Sequence, residues 1–374
     1  MTRISIIGLG AMGATWASKL AGVPGVEIVV IADGPRADRL AREGVTVNGV
    51  GFDFPVVRPD DVPMAPTDLL IVAVKHTGLD VALTQVRHHV GESTIVLSLL
   101  NGITSEDEIA AAYPACHPLA SITVGIDAVR VGQDVTYKSV GRLEFGERVN
   151  TEPYSPEVRW LASLLEQAGI EYVIPPDMTR QLWWKFLINT GVNQVTAVLE
   201  APYAVVQTPG PAREMMAAAQ REVIAVAQAK GIDLTQTDFD AWLGVLNGMA
   251  PGQYTSMAQD TLAHRPTEVD IFAGAMVRMG AETGVPVPVN TALLRLLKAK
   301  EMVWSDLAPK PEPESPAKRP FGIWPDYKLP DGWDDFTTED ESLWYGAMSD
   351  EQWRALGYDP DREAALRRGE GLTA

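Results

Sequence analysis

Along the first third of the chain, short apolar runs alternate with amphipathic stretches. Residues 4–7, 26–31, 69–74 and 94–99 are apolar runs bounded by polar residues, and they predict strands buried on both faces. The stretches between them, 11–20, 36–43 and 79–88, have helical spacing. This alternation predicts a parallel sheet covered by helices on both sides. Residues 117–146 differ. Val124, Ile126, Val129, Val131, Val135, Tyr137, Leu143 and Phe145 recur between Gly125, Gly132, Gly141 and Gly146, which predicts extended, antiparallel strands at the far edge of the same sheet. A helix over 155–168 and a strand over 171–174 follow, and Pro175-Pro176 closes this first domain, residues 1–175.

From residue 177 the strand signal is gone. Helices are predicted over 177–199, 211–230, 236–248, 253–263, 267–283 and 290–304, making an all-α second domain over residues 176–308. Residues 309–374 form a third kind of segment. It opens on a Pro-, Glu- and Lys-rich stretch and continues with Trp324, Tyr327, Trp333, Phe336, Trp344, Tyr345, Trp353 and Tyr358 among acidic residues. That aromatic content argues against plain disorder and predicts packing on the body of the protein or on a partner subunit.

Composition narrows the function classes. With 49 acidic and 31 basic residues the formal net charge is −18, which disfavours nucleic acid and anionic membrane surfaces as partners. A single cysteine, Cys116, forms no intramolecular disulfide and fits a reducing, cytoplasmic setting; it reads as a small buried apolar residue. The five histidines include no HxxxH or HExxH pair, so no metal site is expected. No apolar stretch reaches membrane-spanning length, and the glycines near the N-terminus interrupt what would otherwise resemble a signal peptide; neither feature is expected.

Those glycines have a mechanical reading of their own. Gly8-Leu9-Gly10-Ala11-Met12-Gly13 is a GxGxxG string placed between a predicted strand and a predicted helix. Gly8 permits the tight turn, Gly10 lets the backbone approach a pyrophosphate, and Gly13 lets helix and strand pack closely. The alternative, a glycine-rich turn without a ligand, lacks a reason for this context. The first domain is therefore expected to be a Rossmann domain that binds a dinucleotide. Asp33 ends the second strand, where a carboxylate accepts hydrogen bonds from ribose hydroxyls and repels a 2′-phosphate, which favours NAD. Arg36 and Arg39 stand close enough in sequence to reach a 2′-phosphate, or to form a solvated helix face, so NADP stays possible. Lys75 and Asn101-Gly102 follow predicted strands at their carboxyl ends, the edge where open α/β sheets bind ligands; an exposed lysine and an ordinary turn are the bland alternatives.

The predicted helix at 177–199 carries the sharpest chemical signal. It holds Leu182, Trp183, Trp184, Phe186, Leu187, Ile188, Val192, Val195 and Val198, yet Gln181, Lys185, Asn189 and Asn193 recur at every fourth position. One polar stripe with a single charge on an otherwise apolar helix suits a ligand-facing cleft better than a solvated face. Further on, Ser256 and Asp260 share a helix face, and Thr267-Glu268 stands at a predicted helix start, where an ordinary first-turn charge is the alternative.

Taken together, the GxGxxG string, Lys75, Asn101-Gly102, Leu182-Trp183-x-Lys185-x-x-x-Asn189-x-x-x-Asn193, Ser256-Met257-x-x-Asp260, Thr267-Glu268-x-Asp270 and Gly284-x-Pro286 resemble the ketopantoate reductase (2-dehydropantoate 2-reductase) family, in order, over residues 1 to about 305. The resemblance implies a 6-phosphogluconate dehydrogenase-like arrangement, hydride transfer between a nicotinamide and a 2-oxo acid, and a homodimer. It implies that Lys185 is the general acid and that Glu268 positions substrate and lysine. Ser256 would bind the substrate carboxylate, Asn101, Asn189 and Asn193 would contact or orient substrate, and Lys75 and Asn101 would lie near the cofactor. The chain departs from the family pattern at Asp33, where NADP-using members often carry a basic residue, at the bulky Trp184, and in the extension from Pro309. Two rival readings remain at this stage: a 3-hydroxyisobutyrate-type dehydrogenase and a non-catalytic dinucleotide sensor.

Overall fold

The computed structural model describes residues 1–63 and 65–305; the segment 309–374 and the packing expected of it lie outside the described residues. The first half comprises β1 (Thr2–Ile7), α1 (Ala11–Leu20), β2 (Val26–Ile31), α2 (Gly34–Glu43), β3 (Val45–Val47), β4 (Val50–Phe52), β5 (Val56–Val57), β6 (Leu69–Val72), α3 (Leu79–Gln85), β7 (Ile95–Ser98), α4 (Ser105–Ala112), β8 (His117–Val124), β9 (Asp127–Val131), β10 (Asp134–Ser139), β11 (Arg142–Gly146), α5 (Pro156–Ala168) and β12 (Tyr172–Val173). The second half comprises α6 (Met178–Leu199), α7 (Ala204–Gln207), α8 (Pro211–Ala229), α9 (Gln236–Gly248), α10 (Ser256–Leu262), α11 (Ala273–Thr283) and α12 (Pro288–Ser305). The chain is thus an N-terminal Rossmann-like α/β domain followed by an all-helical domain. Among the described residues no helix is long and apolar enough to cross a membrane.

Eight strands form one sheet in the order β12-β11-β8-β7-β6-β1-β2-β5. Pairing is parallel from β5 through β8, and β11 runs antiparallel to β8. β1 lies inside the sheet and is buried on both faces, which explains its unbroken apolar sequence. Ile4 and Ile6 pack with Trp16, Ala17 and Leu20 of α1, whereas Ile7 packs with Leu70, Val72 and Leu79 on the opposite side.

Residues 127–139 depart from the expectation of edge strands in this sheet. β9 and β10 instead join β3 and β4 in a separate four-stranded sheet, ordered β4-β3-β10-β9. Asn48 fixes the union: its Nδ2 donates to the Tyr137 carbonyl at 3.1 Å, and the Tyr137 N–H donates to its Oδ1 at 2.8 Å. A period-two pattern specifies a strand and its faces but not the sheet it joins.

The helix expected over 267–283 is also divided. Val269–Ile271 is a single 3₁₀ turn, Phe272 leaves helical geometry (φ −102°, ψ −87°), and α11 starts only at Ala273. Thr267 does not cap an α-helix; its hydroxyl donates to Glu301 of α12 at 2.5 Å. The break holds Glu268 in a turn at the junction of the two halves.

α6 is buried over most of its circumference, consistent with its apolar sequence. Asp177 caps it by accepting the Arg180 N–H at 2.9 Å. Its inner face packs Leu182, Trp183 and Phe186 into one cluster with Ala120 and Ile122 of β8. This helix therefore ties the helical half to the sheet.

At the first turn of the chain, the strand-to-helix approach is close. Gly8 has φ +95°, and a Cβ there would lie 2.5 Å from the Ala73 backbone carbon; a Cβ on Gly13 would strike the Gly8 carbonyl oxygen. Gly13→Ala is expected to lower stability by about 1–3 kcal/mol through overpacking. Urea unfolding of the full chain reads this as a reduced midpoint with an unchanged slope, and an unchanged midpoint would contradict the close approach.

Candidate active site

A cavity of about 530 Å³ opens at the carboxyl ends of β1, β2 and β6. Gly8, Leu9, Gly10, Asp33, Arg36 and Lys75 are among the residues that line it. Ala11, Met12 and Gly13 begin α1 directly behind the turn, and no side chain caps the N-terminus of that helix. Its first-turn N–H groups and dipole are left for an anion, the arrangement a dinucleotide pyrophosphate requires. The residues present thus fit a dinucleotide. Asp33 caps α2 by accepting the Gly34 N–H at 2.7 Å and remains exposed on the cavity wall.

Two interactions join the halves beside this cavity. The Asn101 amide donates to Glu268 Oε2 at 3.1 Å. Lys75 Nζ donates to Asp260 Oδ2 at 2.8 Å, and Arg265 donates to the other oxygen of Asp260 at 2.9 Å. Asp260 is buried, so two cations answer a carboxylate that would be costly alone. Lys75 both lines the cavity and holds the helical half, a bond that sequence reasoning did not anticipate.

Lys185 lies within α6, partly buried. Burial pushes its pKa down from 10.5 to about 8; the negative charges of Glu268, then Glu106 and Glu144, oppose that fall. Among the described residues its ammonium makes no hydrogen bond or ion pair, so the carboxylates act on it at longer range. Asn189 and Asn193 follow it along the helix. Asn193 is 6% exposed, and neither amide has a side-chain hydrogen-bond partner among the described residues. Ser256 stands exposed in the first turn of α10, one turn before Asp260, also without a partner.

Two further acids near Lys185 escaped the sequence reading. Glu106 is 4% exposed, accepts from the Ser105 hydroxyl at 3.0 Å and the Ser121 N–H at 3.3 Å, and burial raises its pKa. Glu144 is buried on β11 and paired with Arg142 at 2.6 Å. Arg130 also escaped: it donates to the Leu9 carbonyl inside the glycine turn. Glu106 lies on α4, a helix the sequence pattern did not predict, and Glu144 lies on a predicted strand whose pattern carries no signal of an acid's burial. Among the described residues no cluster of His, Cys, Asp or Glu could hold a metal ion.

Residues 4–150 match the family described as Ketopantoate reductase PanE/ApbA, and residues 177–301 match its C-terminal counterpart. The chain belongs to the ketopantoate reductase family. It is 30% identical over 308 residues to 2-dehydropantoate 2-reductase of Pyrobaculum aerophilum, spanning 80% of this chain and 98% of that one. The 2-dehydropantoate 2-reductase of Caulobacter vibrioides is also 30% identical, over 80% of this chain and 99% of its own length. Among solved structures, a D-mandelate dehydrogenase in ternary complex with NADH and anilino(oxo)acetate is similar, with TM-score 0.72, 26% identity and coverage of 81% of this chain and 99% of that one. This ketopantoate reductase family member is an oxidoreductase, and its relatives are NAD(P)H-dependent reductases of 2-oxo acids. The segment 309–374 lies beyond the family match.

The lowered pKa gives a direct measurement. Acylation of Lys185 by a small amine reagent, followed by peptide mapping, is expected to show half-maximal reactivity near pH 8. Glu268→Gln removes the largest opposing charge and moves the midpoint lower. A midpoint above 10, as for an exposed lysine, would refute the desolvated setting.

Proposed function

We propose that the chain interconverts a 2-oxo acid and the corresponding 2-hydroxy acid, with Lys185 as the proton donor and acceptor. The observation that carries this reading is a desolvated lysine with no hydrogen-bond partner, followed along α6 by two unpartnered amides and opposed by Glu268. A pKa near 8 keeps the ammonium largely intact at neutral pH while making its proton easy to give up, which suits general acid catalysis. The nicotinamide dinucleotide would be held by Gly8 to Gly13 at the mouth of α1 and by Lys75 and Asn101 at the sheet edge, and it supplies the hydride. Asp33 suits the ribose hydroxyls, which is the sequence argument for NAD.

The remaining residues receive roles from their chemistry. As hydride reaches the carbonyl carbon, negative charge grows on oxygen. Lys185 stabilises that charge and then protonates the oxygen. Glu268, fixed by Asn101, orients the lysine and substrate. Ser256 receives the substrate carboxylate, with Asn189 and Asn193 donating to the carboxylate or the reacting oxygen. Support for a 2-oxo acid comes also from the D-mandelate dehydrogenase relative, whose complex holds anilino(oxo)acetate with NADH.

Lys185→Ala is expected to lower kcat about 10²–10⁴-fold on the best substrate of a 2-oxo acid panel, with dinucleotide affinity retained. In the wild type, reduction should fall above pH 8, where the ammonium is lost, whereas oxidation of the hydroxy acid should rise over the same interval, because it needs the free amine. Full activity in Lys185→Ala, or matching pH profiles in both directions, would sink the assignment.

A further inference from the structure

Behind Asn101 lies a buried polar knot that the proposed chemistry does not use. Ser98 ends β7, Ser105 and Glu106 open α4, and Ser121 lies within β8; all four are buried. Their hydrogen bonds run in one direction. The Leu100 N–H donates to Ser98 Oγ at 3.4 Å, the Ser98 and Ser105 hydroxyls share a bond of 2.8 Å, and Ser105 donates to Glu106 Oε2 at 3.0 Å. An N–H can only donate and an ionised carboxylate can only accept, so the Ser98 proton points to Ser105 and the Ser105 proton to Glu106. The other carboxylate oxygen takes the Ser121 N–H at 3.3 Å, and the Ser121 hydroxyl donates to the Ser98 carbonyl. Glu106 ends a chain that begins at the residue before Asn101.

The turn closed by this chain is where the sheet half meets the helical half. Asn101 donates to Glu268 at 3.1 Å. Gly102 has φ +98°, and a Cβ there would lie 3.5 Å from the Ile271 side chain. Ile103 packs in one cluster with Leu182, Trp183, Phe186 and Ile271. Three consecutive residues therefore face the helical half from a turn that belongs to no helix or strand. Ser98 precedes that turn and Ser105 follows it, so the knot ties its two ends together. A buried carboxylate is a costly way to make such a tie, and among the described residues no cation pairs with Glu106. Burial raises its pKa; its own N–H, the Ser105 hydroxyl, the charge of Arg148 and the Ser121 N–H oppose that rise. Arg148 is itself paired with Asp107 at 2.6 Å.

Resting on the proposed reduction of 2-oxo acids through Lys185, we propose that Glu106 is a positioning residue for that reaction, anchoring the Asn101 turn and, through Asn101, the Glu268 carboxylate. It touches no reacting atom and acts through its neighbours. Its charge has a second consequence. Glu268, Glu106 and Glu144, in that order, favour the ammonium form of Lys185, and Glu144 is already paired with Arg142 at 2.6 Å. Neutralising Glu106 therefore lowers the Lys185 pKa further, and the ammonium that reduction needs is lost at lower pH.

Variants of the full chain separate these effects from mere stability. Glu106→Gln keeps the volume but sets an amide NH2 against one of the two donors. It is expected to lower kcat/KM for the best 2-oxo acid about tenfold or more. It should also move the alkaline limb of reduction and the midpoint of Lys185 acylation to lower pH, by about half a unit or more. Glu106→Asp, which restores the charge, should return both toward the wild type. Ser98→Ala breaks the chain and leaves the charge. It should lower kcat/KM about threefold or more and speed amide exchange over residues 99–104, with less effect on the midpoint than Glu106→Gln. Thr94→Ala removes a buried bond to the Thr67 carbonyl at the opposite edge of the sheet, and should lower stability while changing kcat/KM less than about threefold. A Glu106→Gln variant that loses only stability, as Thr94→Ala does, overturns the proposal. So does a Ser98→Ala variant with unchanged kcat/KM and exchange, which decides the matter if the Glu106 variants do not fold. Acylation and exchange need no substrate: a wild type that reduces no 2-oxo acid sinks the functional reading, and these two readouts still show whether Glu106 fixes the turn.

Discussion

The desolvation of one ammonium group constrains much of this structure. Lys185 sits on a helix buried over most of its circumference, and moving its charge out of water is unfavourable by an amount that lowers its pKa to about 8. Three acids offset part of that cost from three different elements: Glu268 at the turn before α11, Glu106 on α4 and Glu144 on β11. The first belongs to the helical half and the other two to the sheet half. The chemical poise of Lys185 therefore depends on the two halves staying in register, and the same register is maintained by Asn101 on Glu268 and by Lys75 on Asp260. A lysine whose pKa is set from both sides of a domain junction changes its proton affinity when the junction moves.

That dependence gives the break in the helical segment at 267–283 a purpose. Had the α-helix begun at Thr267, as its residue pattern allows, Glu268 would occupy a first-turn position stabilising its own helix. Thr267 is tied instead to Glu301, the backbone passes through one 3₁₀ turn, and Glu268 is free to accept from Asn101 across the junction. The backbone geometry at Phe272 is part of what holds the carboxylate close enough to α6 to act on Lys185.

Much of the architecture was legible in the sequence because it rests on local rules. The buried parallel strands read as apolar runs, the GxGxxG string sits between strand and helix, and the four-residue spacing of Gln181, Lys185, Asn189 and Asn193 identified α6 and its polar side. What escaped depends on long-range pairing. Whether 127–139 extends the main sheet or joins 45–52 is decided by Asn48 and Tyr137, which are 89 residues apart. Arg130 reaches Leu9 over 121 residues, and Lys75 reaches Asp260 over 185. No periodicity in a single segment encodes such contacts. The burial of Glu106 was hidden for a related reason: its companions Ser105 and Ser121 are too common a pairing of residue types to mark a buried carboxylate.

The contrast between two adjacent residues on α6 separates scaffold from site. Gln194 is fully buried and fully answered: its amide donates to the Thr190 carbonyl at 2.6 Å and to Asn290 at 3.1 Å, and its oxygen accepts the Ala273 N–H at 3.0 Å. Asn290 in turn donates to Glu222 at 2.8 Å, so α6, α8, α11 and α12 are locked through one polar network. Asn193, one position earlier, is almost as buried and has none of this. Folding satisfies nearly every buried amide within the protein, because an unanswered one costs about 1–3 kcal/mol. Asn189 and Asn193, along the same line as the partnerless Lys185, make no such side-chain bonds among the described residues, and their amides are not sealed in the core as that of Gln194 is. The position of those amides, more than their identity, sets them apart from the polar network around Gln194.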